Sequence, residues 1–280
     1  MGDRESRLDG IGTFVVDPER LHNLAQKHRH AYATADPFPH VVMEEFLPDQ
    51  TLERVRAEIP KPGDIRWIEF EDARGKKLAS KAETQLGADT RFLLYQLNSS
   101  VFIEFLEELT GISGLVPDPH FWGGGVHQIV RGGFLKIHSD FNEHPKLKLD
   151  RRLNLLLYLN REWQEDWGGH LELWDRGMTE CRKKILPIFG RCVIFATTDF
   201  ANHGHPDPLN CPAGETRKSL ALYYYSNGRP REEISGHHYS TLFRRRPGEK
   251  FFFTPEIIAQ NLLPPIVMSI VSSLKQRLQR

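Results

Sequence analysis

The chain has 280 residues, 37 basic against 37 acidic, and 39% of them are hydrophobic. That is the make-up of a globular protein of one large or two small domains, and the balanced charge gives no reason to expect nucleic acid as a partner. Three cysteines (Cys181, Cys192, Cys211) without a CxxC spacing exclude a disulfide framework and a structural zinc cluster, and point to a reducing, cytoplasmic setting.

The start, MGDRESRLDG, is polar. It shows no apolar signal segment, although Gly2 and Ser6 fit the loose myristoylation pattern. Residues 1–36 read as an N-terminal extension with a short helix over 18–28. Residues 37–43, Pro-Phe-Pro-His-Val-Val-Met, read as a strand. A helix follows from Pro48 to Ile59, with Leu52, Val55 and Ile59 on one side. The charged, weakly patterned stretch 61–87 reads as loop-rich; 67–80 is a candidate lid that its own sequence does not directly support. A second helix is expected over 99–109, where Val101, Phe102, Phe105, Leu106 and Leu109 recur at helical spacing.

From Gly123 the texture changes to short β-branched and aromatic runs broken by Gly, Pro and Asn. The candidate strands are 126–130, 134–137, 154–159, 170–174, 184–188, 192–196 and 219–226. Many short strands at this spacing predict a sandwich or barrel, jelly rolls among them. Beyond Pro230 the chain turns polar. A helix is expected to start at Thr254-Pro255-Glu256 and to break at Pro264-Pro265. Its apolar part, 266–274, is expected to pack on the same barrel; a dimer or membrane-surface helix is the other reading. No apolar run approaches the ~20 residues that span a bilayer.

The chemistry concentrates in Gly132-Gly133-Phe134-Leu135-Lys136-Ile137-His138-Ser139-Asp140. A histidine ends a strand and an aspartate follows two residues later, so both reach one ion as the chain leaves the strand. With a second histidine they form the two-histidine, one-carboxylate facial triad of non-haem iron(II) sites. HxD alone arises often by chance in a chain with 13 histidines. Its context adds weight. Gly190-Arg191-Cys192-Val193-Ile194-Phe195 is a glycine turn into a strand. His203 and His205 follow in the next loop. Arg217-Lys218-Ser219 then opens another strand. The planar fork of Arg217 suits a carboxylate, and Ser219 faces the same way.

In that order, these motifs resemble the prolyl-4-hydroxylase-like branch of the iron(II)/2-oxoglutarate oxygenases, over roughly residues 37–230 and most strongly 123–226. The resemblance implies a mainly β double-stranded β-helix, a jelly roll of cupin type, with flanking helices. It implies an oxygenase domain over 37–232 with its core at 123–226, and a C-terminal extension over 233–280. It implies Fe(II), 2-oxoglutarate and O2, with His138, Asp140 and His203 as metal ligands. His205 is the rival for the distal position and lies nearer Arg217; Pro208-Leu209 falls near the family's Pro-Val, which favours His203. Arg217 and Ser219 match the residues on the distal carboxylate of 2-oxoglutarate, and Tyr158 in Tyr158-Leu159-Asn160 matches a tyrosine on the same carboxylate.

Many members carry a tyrosine nine residues before the first ligand, where this chain has Ile129; His127, two residues earlier, either replaces the missing polar group, touches the substrate, or is a satisfied structural histidine. Tyr223 and Asn154 point inward by alternation. Lys146, Lys148, Arg151 and Arg152 lie in the loop 142–152, which reads as a plain solvated loop, the other reading being recruitment of an anionic substrate. The activity implied is hydroxylation of an unactivated C–H bond of a small molecule or peptide, releasing succinate and CO2. Asp140 matters here, because halogenases of the superfamily have a small residue in its place. The alternatives are desaturation or cyclisation of a natural-product intermediate, a non-catalytic metal-binding barrel, and a zinc-dependent hydrolase. The oligomeric expectation extends to a homodimer.

Overall fold

A computed structural model describes residues 14–249 of the chain. The Gly2/Ser6 pattern and the helix expected from Thr254, with its apolar part at 266–274, lie outside the described residues. By its internal contacts the chain divides into Met1–Arg246 and Pro247–Arg280. The first unit carries the fold.

In chain order the elements are α1 (Pro18–Ala33), β1 (His40–Met43), α2 (Asp49–Glu58), β2 (Ile68–Asp72), β3 (Gly75–Ala79), α3 (Ala88–Leu97), α4 (Ser100–Thr110), β4 (Leu115–Pro117), β5 (Gly125–Val130), β6 (Phe134–Ser139), β7 (Asp150–Tyr158), β8 (Leu171–Trp174), β9 (Cys181–Ile185), β10 (Cys192–Ala196), β11 (Asn202–His205), β12 (Thr216–Ser226) and β13 (Leu242–Phe243). The strands form one curled antiparallel sheet in the order β1-β10-β7-β12-β5-β3-β6-β11-β8-β9. β3 bridges its two halves: Ala79 pairs with His127 on β5, and Gly75 with Leu135 on β6. This is the double-stranded β-helix expected from the sequence.

Alternation decides which side chains face the helices and which face the cavity. On β7, Leu153, Leu155 and Leu157 pack outward into the helical layer; on β12, Leu220, Leu222 and Tyr224 do the same. The opposite parity, Asn154, Leu156 and Tyr158 on β7 with Arg217, Ser219 and Tyr223 on β12, faces the interior. The helices seal the outer face with Leu21, Ala25, Leu52, Val55, Leu93, Leu97, Phe102 and Phe105, all buried in the same cluster. Truncating a residue such as Leu155 to Ala there costs about 2–5 kcal/mol, since the lost area and the remaining cavity add. Local signals set the helix ends. Asp17 accepts from Arg20 N at the start of α1, Ser99 accepts from Phe102 N at the start of α4, and Gly111 closes α4 at φ 74°.

Four expectations need correction. The 61–87 stretch contains the β2–β3 hairpin rather than loop alone. Ile68-Glu69-Phe70-Glu71 does alternate, but the run is short and flanked by charge, and every residue of β2 is exposed. Residues 88–97, unassigned from sequence, form α3, although Thr90, Leu93, Leu94 and Leu97 do recur at helical spacing. The strand expected at 184–188 lies at Cys181–Ile185: its Arg-Lys-Lys centre is exposed, and Pro187 beyond it lacks a backbone donor. The histidines of 202–205 sit in a strand, β11, not a loop.

Candidate metal centre

β6 and β11 run antiparallel with His138 opposite His203, which brings the two imidazoles to 4.4 Å between ring centroids. Gly204 permits this close approach, because a Cβ there would lie 2.8 Å from the carbonyl oxygens of Leu135 and Lys136. The Nδ1–H of His138 donates to Lys136 O at 2.8 Å, and that of His203 to Ala201 O at 2.9 Å. Both rings are thereby fixed with Nε2 as the lone-pair nitrogen. Those two atoms lie 3.5 and 3.4 Å from Oδ1 and Oδ2 of Asp140. Neighbouring donors around an octahedral ion with bonds of about 2.1 Å stand roughly 3 Å apart, so the three side chains fit one cation. All three are buried, and they are the group of metal-binding type found among the described residues.

Asp140 is held from behind. Its Oδ2 accepts from Asn154 Nδ2 at 2.6 Å and from Arg151 at 3.0 Å. Arg151 also donates twice to Asn154 Oδ1, and its guanidinium stacks on Tyr223 at 3.5 Å and Phe141 at 4.4 Å. Burial alone would raise the Asp140 carboxyl; Arg151, His203 and His138 outweigh it and hold it well below the ordinary carboxylate range. Burial, with His138 alongside, pushes His203 down to about 4, so its ring is neutral at pH 7.

Sequence reasoning put Arg151 and Arg152 in a solvated loop. Both are buried instead, at the start of β7. Register explains Arg151: Leu153 pairs with Tyr224 but Arg151 with Tyr225, so Arg152 is an extra residue on β7. That bulge turns Arg151 to the same side as Asn154, against simple alternation. An even-spaced strand template could not have found it.

Further into the cavity, Arg217 is 4% exposed. Its Nε donates to Gly169 O at 2.8 Å and a terminal nitrogen reaches the Tyr158 hydroxyl at 3.3 Å. Gly169 stands at φ 74°, and a Cβ there would lie 3.0 Å from Arg217 Cδ, so the Gly-Gly of 168–169 is the seat of the arginine. Ser219 lines the same cavity, as do Leu156, Leu171 and Phe195. His205 is there too, 5% exposed, with neither ring nitrogen hydrogen-bonded to protein. A buried polar pair of this kind calls for a ligand partner. His205 is not in the metal-type group; His203 is.

His127 lines the cavity, donates from Nε2 to Gly123 O at 2.9 Å, and is pushed down to about 3 by burial and Lys77. Tyr223 donates to the same carbonyl at 2.9 Å. The cavity measures about 70 Å³. Sequence reasoning also missed Lys77, which enters it from β3.

Two histidines and one carboxylate buried in one cavity with an arginine make the donor set that non-haem iron sites use. The comparisons agree. Residues 124–225 match the 2OG-Fe(II) oxygenase superfamily. Among solved structures, a Pseudomonas putida prolyl-4-hydroxylase is 16% identical with a TM-score of 0.50, over 74% of this chain and 100% of that one. A Phytophthora capsici prolyl 4-hydroxylase is 21% identical with a TM-score of 0.50, over 78% and 68%. A Trichoplax adhaerens prolyl hydroxylase, solved with a hypoxia inducible factor peptide fragment, is 18% identical with a TM-score of 0.50, over 74% and 91%. No curated protein matches the chain. Residues 124–225 therefore match a 2OG-Fe(II) oxygenase domain, the fold is that of the prolyl-4-hydroxylases, and Fe(II), 2-oxoglutarate and O2 are what a domain of that family uses.

Proposed function

We propose that this protein is a 2-oxoglutarate-dependent dioxygenase that hydroxylates an unactivated C–H bond, with His138, Asp140 and His203 as the iron ligands. Arg217, Tyr158 and Ser219 take the distal carboxylate of 2-oxoglutarate. The observation that carries this reading is the pairing of two sites in one cavity: a pinned His-Asp-His set, and a buried arginine with no carboxylate partner among the described residues. A zinc hydrolase or a bare metal-binding barrel has no use for the second.

Iron bound there couples decarboxylation of 2-oxoglutarate to oxidation of a C–H bond. The chain's own residues do the rest. The carbonyls of Lys136 and Ala201 keep Nε2 of each histidine unprotonated and aimed. Arg151 and Asn154 hold Asp140 ionised and fix its orientation. Arg217 supplies a charge-assisted contact that water cannot screen at this depth. Leu156, Leu171, Phe195 and Ile129 line the cavity and keep water out. His127 and His205 present neutral ring nitrogens to the same space. Asp140 supports hydroxylation over halogenation, because its carboxylate fills the position a halide would need.

The three cysteines are free thiols, which supports a reducing, cytosolic setting. Among the described residues no helix is long and apolar enough to cross a membrane.

The test is turnover under 18O2. Wild type should convert 2-oxoglutarate to succinate carrying one labelled oxygen, only with Fe(II) present. His138→Ala should reduce that to background. Succinate formation that survives in His138→Ala would refute the ligand set.

A further inference from the structure

β3 sends into the cavity one side chain that neither the metal ligands nor the 2-oxoglutarate contacts employ. Gly75, Lys77 and Ala79 share one strand face, and the outer two are buried where β3 pairs with β6 and β5. Glycine and alanine leave room on that face, and Lys77 extends between them to line the cavity with His138, Asp140 and Arg217. Its ammonium lies 5.1 Å from the centroid of the Phe70 ring. Among the described residues it makes no ion pair or hydrogen bond with a protein group.

The charges around this space do not cancel. Asp140 is the acidic residue of the lining, and Arg151 already pairs with it. Lys77 and Arg217 remain. A ferrous ion and the 2-oxoglutarate dianion add equal and opposite charge, so the loaded site still carries a surplus of two positive charges. A half-buried cation in such a place is relieved by an anion far more than by a neutral amide. A single compact ammonium, with Arg217 committed elsewhere, matches one negative charge. Building on the oxygenase reading above, we infer that the substrate is a carboxylate-bearing small molecule whose carboxylate is bound by Lys77. A proline inside a peptide chain has no such group to offer.

Burial, opposed by Asp140 and reinforced by Arg151 and Arg217, brings Lys77 down to about 8. It remains mostly protonated at neutral pH, yet its amine fraction makes it more readily acylated than an ordinary lysine. That allows a readout independent of turnover. The full chain is loaded anaerobically with Fe(II) and 2-oxoglutarate, and saturation is followed by the visible metal-to-ligand band. It is then treated at fixed pH with N-hydroxysuccinimidyl acetate, and acetylation of Lys77 is followed by mass spectrometry against the other lysines. Acetate and inorganic phosphate are the anionic probes, and acetamide is the neutral control.

Saturating 2-oxoglutarate should leave the Lys77 rate within about twofold, and acetate should then slow it about fivefold or more, as a charge-assisted contact predicts. Acetamide should do nothing, and phosphate less than acetate. Lys77→Met should shift 2-oxoglutarate half-saturation by no more than about twofold, against a far larger shift in Arg217→Met. Protection by 2-oxoglutarate alone, or a Lys77→Met shift like that of Arg217→Met, assigns the lysine to the cosubstrate and overturns the inference. Protection by phosphate but not acetate, or by neither, overturns the substrate class. Absence of the band in wild type instead removes the oxygenase reading beneath it.

Discussion

At the Asp140 end of the cavity the protein supplies its own partners. Asn154 and Arg151 bind the carboxylate, two aromatic rings lie against the guanidinium, and backbone carbonyls hold both histidines. At the Arg217 end it does not. Among the described residues Arg217 meets one carbonyl and one hydroxyl but no carboxylate, and His205 has no partner at either nitrogen. The first end is assembled before any ligand arrives, as a set of metal donors must be. The second is left electrostatically open, and its cost is recovered only when a dianion binds. A residue's worth to stability and its worth to ligand binding should therefore run in opposite order at the two ends.

The largest expected effect comes from removing the closed end's charge. In metal-free protein, Asp140→Ala strands the buried Arg151 and should cost about 3–5 kcal/mol in denaturant unfolding. Arg217→Met should cost far less, because that cation lacks a carboxylate to begin with. The same Arg217→Met should raise 2-oxoglutarate half-saturation by about 30-fold or more, the loss of a buried charge-assisted contact of about 2 kcal/mol or more. Equal destabilisation by the two variants would erase the contrast between the ends.

A smaller step sharpens the open end. Tyr158→Phe removes one hydroxyl from Arg217 and should weaken 2-oxoglutarate by about fivefold, near 1 kcal/mol, while iron affinity stays put. A titration showing no change would take Tyr158 out of the cosubstrate site.

A further test is acid stability. His127 titrates near 6.5 when unfolded but is held at about 3 in the fold. Protons therefore bind the unfolded chain first, and stability falls as pH drops below about 6.5 until about 3 is reached. Asp140, held below its ordinary value, likewise contributes stability above its unfolded pKa that fades as pH falls. Denaturant midpoints across pH 6.5 to 4 should decline less steeply in His127→Asn than in wild type. Parallel slopes would mean that His127 is not buried as a neutral ring.

The sequence made the closed end's ligands and the open end's arginine readable, because each depends on short-range order: HxD at a strand end, Arg-x-Ser two residues apart on one face. Strand alternation likewise predicted Asn154 and Tyr223 inward. What stayed hidden depends on long-range pairing. Arg151 reaches Asp140 only through the bulge at Arg152, which the partner strand's register defines. Lys77 sits on a hairpin whose first strand is wholly exposed, held in place by the edges of β5 and β6 rather than by its own pattern. The sequence favoured His203 for the distal position but left His205 as a rival, because both share one face of β11. Pairing with His138 on β6 is what separates them.

That separation underlies the two-ended account and has a direct test: anaerobic titration of wild type, His203→Ala and His205→Ala with Fe(II) and 2-oxoglutarate, followed by the visible metal-to-ligand band. The account predicts a band in wild type, none in His203→Ala, and a band in His205→Ala with a shifted 2-oxoglutarate half-saturation. A band that persists in His203→Ala and vanishes in His205→Ala would contradict it.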